Sequence, residues 1–248
     1  MSLAGRTALV TGGGTGLGAA LARALAAEGA TVWVAGRTAA RLEAVAATDA
    51  RLHPLPLDVT DETAVARAFD QIGTPEIVVA NAGAAESAPL AATTLETWQA
   101  MLAVNLTGVF LTLREAARRL GKAEYGRLIV VASTAGLKGY AYASAYTAAK
   151  HGAVGLVRAA ALELARTGVT VNALCPGFLD TEMTDRSIAN ISDKTGKTPE
   201  DARAALEAMS PQHRLIAPEE VARAALWLCT AEARGVTGQA IPIAGGEV

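Results

Sequence analysis

Tyr146 and Lys150 stand four positions apart at the start of a segment that reads as a helix to about Arg166. Both side chains therefore project from one face, roughly 5–6 Å apart at Cβ. An ammonium that close stabilises a phenolate and draws a phenol's pKa down from about 10 toward working pH, where it can act as general acid or base. Ser133 lies at the carboxyl end of the apolar run Leu128 to Val131, where open parallel sheets place ligands, and its hydroxyl can hydrogen-bond a carbonyl oxygen. A ketone fits between Ser133 and Tyr146. Taken singly, each feature has a plainer reading, a helix pair or a strand-capping serine, so the surrounding elements have to decide.

Near the start, the run Thr7 to Val10 leads into Thr11-Gly12-Gly13-Gly14-Thr15-Gly16-Leu17-Gly18 and then an alanine-rich helix through Glu28. Glycines let the backbone turn tightly against a pyrophosphate, which sits at the helix N-terminus among unpaired amides. The lysine of a mononucleotide P-loop is missing, so dinucleotide binding leads over a glycine turn with no ligand. The second strand ends Val34-Ala35-Gly36-Arg37-Thr38, with no carboxylate for a ribose 2′-hydroxyl. Arg37 offers a planar fork suited to a 2′-phosphate, which favours NADP(H) over NAD(H); the alternative is a surface arginine.

Further strand-like runs, Thr31 to Val34, Leu52 to Leu57, Ile77 to Ala80, Val169 to Leu174 and Ala240 to Ile243, alternate with helical stretches. Continuous apolar runs between helices imply strands buried on both faces and right-handed crossovers. The expected fold is a doubly wound α/β sandwich with a parallel sheet. At 248 residues, 51% hydrophobic and without repeat or linker, the chain suits a single domain, 1–248. The alternation stops from Leu179 to Ile216, where Thr198-Pro199-Glu200-Asp201 makes a strong helix start. This insertion, at about 179–216, reads as a substrate lid, with a surface excursion as the alternative.

A net charge of -2 provides no field for a phosphate backbone and argues against nucleic acid. Cys175 and Cys229 make neither a disulfide framework nor a metal knuckle, which points to a reducing, cytoplasmic compartment. No uninterrupted apolar run reaches the roughly 20 residues of a membrane span. His53 and His213 lack ligand-spaced neighbours, His151 points about 100° away from Lys150, and no metal site is expected.

In order along the chain, these features resemble the short-chain dehydrogenase/reductase family. Thr11-Gly12, Gly16 and Gly18 match its glycine turn, Asp58-Val59 its adenine-contacting pair, and Asn81-Ala82-Gly83 its NAG motif. Asn105, Ser133, Tyr146 and Lys150 match its catalytic tetrad, and Pro176-Gly177 with Thr181 its nicotinamide-side motif. One departure is Ala80, where the family often has a second asparagine. The resemblance implies a Rossmann-type sheet of seven parallel strands, a homotetramer or homodimer, and reversible hydride transfer between a nicotinamide and a carbonyl. It also implies cofactor contacts from Gly12, Gly14, Thr15, Gly16, Leu17, Gly18, Arg37, Asp58, Val59, Asn81, Ala82, Gly83, Tyr146, Lys150, Pro176, Gly177, Leu179 and Thr181. Tyr146 would protonate the carbonyl oxygen, Ser133 would stabilise it, Lys150 would hold the ribose, and Asn105 would anchor a water linking Lys150 to solvent.

The stretch Glu163 to Phe178 resembles aromatic-polyketide ketoreductases, 3-oxoacyl-thioester reductases and 3-hydroxyacyl-CoA dehydrogenases. Tyr140, Tyr142, Phe178 and Met183 are expected to line a mainly apolar substrate pocket. Arg186, Lys194, Lys197, Arg203 and Arg214 could meet the phosphates of CoA or an acyl-carrier arm, although a solvated helix face is the plainer reading. A 3-oxoacyl thioester ranks first as substrate. The alternatives are NAD-dependent oxidation of another secondary alcohol, and a nonenzymatic dinucleotide-binding redox sensor.

Overall fold

Apolar runs without polar alternation become parallel strands covered on both faces. The computed structural model describes residues 2–248. Its strands are β1 (Thr7–Thr11), β2 (Thr31–Gly36), β3 (Leu52–Pro56), β4 (Ile77–Ala80), β5 (Gly126–Val131), β6 (Val169–Pro176) and β7 (Ala240–Ile243). They form one seven-stranded sheet in the order β3-β2-β1-β4-β5-β6-β7, and every pairing is parallel. Among the described residues nine α-helices connect or cover them: α1 (Gly16–Ala27), α2 (Ala39–Ala46), α3 (Glu62–Ile72), α4 (Leu95–Leu102), α5 (Gly108–Leu120), α6 (Ser144–Leu164), α7 (Glu182–Thr195), α8 (Pro199–Glu207) and α9 (Pro218–Leu228).

Alternate residues of each strand feed two separate cores. Leu9, Val78, Leu128 and Val171 pack with α3, α5 and α6 on one face, while Val10, Val79, Ile129 and Leu174 pack with α1, α2 and α9 on the other. Burying each such leucine or isoleucine contributes roughly 1.5–3 kcal/mol, so the two-sided sheet is where the stability of the molecule is concentrated. The strand order reverses between β1 and β4. That reversal opens a crevice at the carboxyl ends of the strands, where ligands of such sheets bind.

Local signals fix several helix starts. The Asp61 carboxylate accepts from the Ala64 amide at α3, the Thr94 hydroxyl from Thr97 at α4, and the Thr198 hydroxyl from Asp201 at α8. Each such cap contributes about 1 kcal/mol. The residues expected to break the strand-helix rhythm form α7 and α8 and return at a parallel bridge between Leu179 and Ile216. There the Asp180 amide donates to the Ile216 carbonyl at 3.0 Å, and the Ile216 amide to the Phe178 carbonyl at 2.9 Å. Ile188, Ala202, Leu206 and Leu215 make a small core of their own beneath these helices.

The helical stretch Leu95–Leu120 runs 26 residues and contains a window of mean hydropathy 1.2, long and apolar enough by those measures to cross a membrane. Half of its most apolar window is buried inside the domain, where Val109, Leu111, Leu113 and Leu120 pack under the sheet, so it is a core helix here.

Candidate active site

The glycine turn after β1 is closed by contacts that a side chain would destroy. Gly12 has φ +65°, and a Cβ there would sit 2.8 Å from Ala82 Cα. A Cβ on Gly18 would lie 2.1 Å from the Gly12 carbonyl oxygen and 2.6 Å from Asn81 Nδ2. Asn81, just past β4, donates from Nδ2 to the Thr11 and Gly12 carbonyls at 2.9 and 3.2 Å. In return the Thr11 hydroxyl accepts from the Asn81 and Ala82 amides at 3.0 and 3.1 Å. The two sides of the sheet's reversal are thus sewn together, and the first turn of α1 stands above them. Thr15 begins α1 without a side-chain cap, which leaves first-turn amides pointing outward.

Gly14, Thr15 and Gly16 line a cleft of about 410 Å³ together with Arg23, Arg41 and Glu182. Thr181, at the start of α7, faces the turn: a Cβ on Gly16 would be 3.3 Å from its methyl group. Open amides, the Arg23 guanidinium and backbone bare of side chains fit a pyrophosphate, while Arg41 is paired with Glu182 at 3.4 Å. Arg37 is exposed just past the end of β2. Hydrogen bonds from Thr60, and after them the Arg37 charge, hold Asp58 below the usual carboxylate range. Val59 is buried against Gly108, whose Cβ would lie 2.7 Å from it.

Across the crevice, Ser133 lies two residues past the end of β5 and caps a 3₁₀ turn, its Oγ accepting from the Ala135 amide at 3.0 Å. Its side chain also lies beside Tyr146 in the first turn of α6, where it favours the phenolate. Lys150, one turn later and 3% exposed, donates from Nζ to the Val131 carbonyl at 2.9 Å and lies 5.6 Å from the centre of the Tyr146 ring. Asn105 is fully buried in a π-helical turn, Ala103–Thr107, between α4 and α5. Its amide nitrogen donates to the carbonyls of Ala84 and Met101, and its oxygen accepts from the Ala84 amide at 3.3 Å. Such bulges cluster at functional sites because they turn a side chain out of helical register. Gly83 shares this corner, where a Cβ would be 2.8 Å from the Asn105 oxygen and 3.7 Å from Lys150 Nζ.

The electrostatics differ from the sequence expectation. Burial pushes the Tyr146 phenol up, outweighing the effect of the Ser133 side chain, and Lys150 does not reverse this. Burial also lowers the Lys150 ammonium to about 8. In a dry site, desolvation of both charged forms exceeds what one residue gains from the other. Cys175, which sequence reasoning treated only as a redox indicator, lies in the same cluster. Burial raises its thiol to about 11, while the Ser133 amide donates to it and the Lys150 charge pulls it back.

On the substrate side the structure separates the expected residues. Tyr140 meets Phe178 edge to face, ring centres 6.1 Å apart. Tyr142 is 65% exposed with φ +67°, and Met183 lies exposed in the first turn of α7; neither belongs to that aromatic pair. Gly177 hydrogen-bonds the Ile243 carbonyl at 3.1 Å, which holds the turn after Pro176 against β7. Of the basic residues, Arg203 pairs with Glu207 and Asp180, Arg214 with Glu220, and Lys194 donates to the Ser87 carbonyl. Arg186 and Lys197 are solvated. His151 is exposed and meets the Thr147 carbonyl through Nδ1. No group of metal-ligating residues occurs among the described residues.

Comparison with known proteins decides the family. The profile described as short chain dehydrogenase matches residues 6–192. The chain belongs to the short-chain dehydrogenase family. It is similar to a D-beta-hydroxybutyrate dehydrogenase of Cupriavidus necator, 38% identical over 99% of each chain. It is also similar to the 3-oxoacyl-[acyl-carrier-protein] reductase of Aquifex aeolicus, 33% identical over 99% of this chain and 98% of that one. An actinorhodin polyketide ketoreductase crystallised with NADPH superposes with a TM-score of 0.91 at 34% identity, covering 98% of this chain and 97% of that one. This short-chain dehydrogenase is thus an NAD(P)-dependent oxidoreductase of the ketone–alcohol type.

Proposed function

We propose that the protein is an NADP(H)-dependent ketoreductase whose substrate is a 3-oxoacyl thioester, carried on CoA or an acyl-carrier protein and interconverted with its 3-hydroxy form. The observation that carries the chemistry is the Tyr146 ring, 5.6 Å from the Nζ of the buried Lys150 and beside Ser133, at the mouth of the dinucleotide crevice. Arg37 and the relatives named for ketone reduction support the cofactor and substrate class. When bound, the nicotinamide supplies a hydride to the carbonyl carbon. Tyr146, held protonated by burial, gives its proton to the carbonyl oxygen, and Ser133 donates to that oxygen as charge develops. Lys150, poised near 8, anchors the nicotinamide ribose and restores the proton to Tyr146, with Asn105 and the Ala84 carbonyl framing the exit toward solvent. Asp58, Val59, Asn81, Ala82 and Gly83 would hold the adenine and nicotinamide ribose halves; Pro176, Gly177, Leu179 and Thr181 would hold the carboxamide side.

In the same reading the chain is a single domain, and 179–216 acts as the lid and carries Met183, with Tyr140 and Phe178 beneath it and Tyr142 at its rim. A cytoplasmic location and a homodimeric or homotetrameric assembly complete the proposal. A second reading, NAD-dependent oxidation of a small hydroxy acid, draws on the D-beta-hydroxybutyrate dehydrogenase relative.

The test follows reduced-nicotinamide absorbance with acetoacetyl-CoA and either NADPH or NADH, then repeats it with Tyr146→Phe. Turnover preferring NADPH, reduced about 10²–10⁴-fold in the variant, is the expected outcome. Oxidation of 3-hydroxybutyrate with NAD+, and no turnover of the thioester, would move the assignment to the second reading. Full activity in Tyr146→Phe would overturn the mechanism.

A further inference from the structure

Glu247 lies 114 residues from Ser133 in sequence, yet its carboxylate points into the loop that follows Ser133. Gly245 and Gly246, at φ +62° and +89°, turn the segment after β7 back toward the crevice. The Glu247 side chain is 2% exposed. Its Oε1 accepts from the Tyr140 hydroxyl and pairs with Lys138 Nζ at 3.0 Å. Oε2 rests against Gly177, where a Cβ would be 3.1 Å away. The Tyr140 hydroxyl is in turn 2.6 Å from Thr134 Oγ1, and Thr134 directly follows Ser133 in the 3₁₀ turn. A buried carboxylate with one hydroxyl partner and one ammonium is well held, and the chain of contacts ends on the residue next to Ser133.

We propose that Glu247 is a positioning residue for this oxidoreductase: through Tyr140 and Thr134 it fixes the turn that aims the Ser133 hydroxyl at Tyr146, and it braces the Gly177 backbone opposite. The inference rests on the reading of Ser133 and Tyr146 as the reacting pair. It touches neither substrate nor cofactor itself. Tyr140 is therefore a strut held at both ends, and only its ring, against Phe178, is free to meet a substrate.

Steady-state kinetics with acetoacetyl-CoA and NADPH on Glu247→Ala, Glu247→Gln, Tyr140→Phe and the Glu247→Ala/Tyr140→Phe double variant test this. The expected result is an about tenfold lower kcat for Glu247→Ala with KM for NADPH changed less than about twofold. Glu247→Gln, whose amide oxygen still accepts from Tyr140, should recover most of that loss, and the double variant should be no slower than the slower single one. A kcat within about twofold of wild type, or losses that multiply in the double variant, would overturn the proposal. If wild-type protein leaves acetoacetyl-CoA untouched, the substrate reading fails separately. Amide hydrogen exchange then decides: faster exchange confined to residues 134–142 in Glu247→Ala and reversed in Glu247→Gln supports the strut. Unchanged exchange there, or acceleration spread over the sheet, overturns it.

Discussion

Lys150 shows how one residue ties the chemistry to stability. Its folded value of about 8 lies below the ordinary 10.5, so between those values the folded chain binds fewer protons than the unfolded one. Stability from this group therefore rises with pH through that window. Cys175 and Cys229, raised to about 11 and about 12 from 9.0, act oppositely once pH passes 9. The clean interval is pH 8 to 9. There the free-energy gap between wild type and Lys150→Met, measured by urea unfolding, should shift by about 1 kcal/mol in favour of wild type. A gap constant across that interval would show that the ammonium is not desolvated. The sequence already showed the Tyr146–Lys150 spacing, because helical register alone sets it. It could not show the direction of the Tyr146 shift, since that depends on how much water the fold removes from the phenol.

At the scale of elements, the positions that matter are those where two elements meet without side chains. Gly18 in α1 presses on the Gly12 carbonyl, and Asn81 past β4 fastens both to Thr11. Gly18→Ala should raise the dissociation constant for NADPH by more than about tenfold, measured by quenching of protein fluorescence, because the helix must withdraw to admit the methyl. Unaltered affinity would mean that the turn does not hold the cofactor. Strands β1 to β7 were legible as apolar runs, and the start of α8 was legible from Thr198 and Pro199. The π-turn at Asn105 was not. No local propensity marks an extra residue in a helix; the bonds from Asn105 to Ala84 and Met101, far or near in sequence, select it. Glu247 was missed for the same reason, because its partners come from a loop more than 100 residues away.

For the whole molecule, stability is unevenly shared. The sheet draws on two large cores, whereas α7 and α8 depend on four buried residues and on tethers at their edges. Glu182 pairs with the α2 residue Arg41 at 3.4 Å, and Asn190 donates to the Ser87 hydroxyl at 3.0 Å. Pairs this exposed contribute roughly 0–1 kcal/mol each. Native-state hydrogen exchange should therefore show residues 182–207 opening at markedly lower free energy than β4 and β5. Equal protection across both regions would contradict this division.

The parallel bridge between Leu179 and Ile216 gives that division a further meaning. It closes the excursion with hydrogen bonds at its base, so the sheet sees the same two endpoints whatever runs between them. Residues inside the loop can be replaced, lengthened or shortened at a cost that grows only slowly with length. The hydride-handling machinery and the insertion proposed as its lid are then free to diverge at different rates within one lineage.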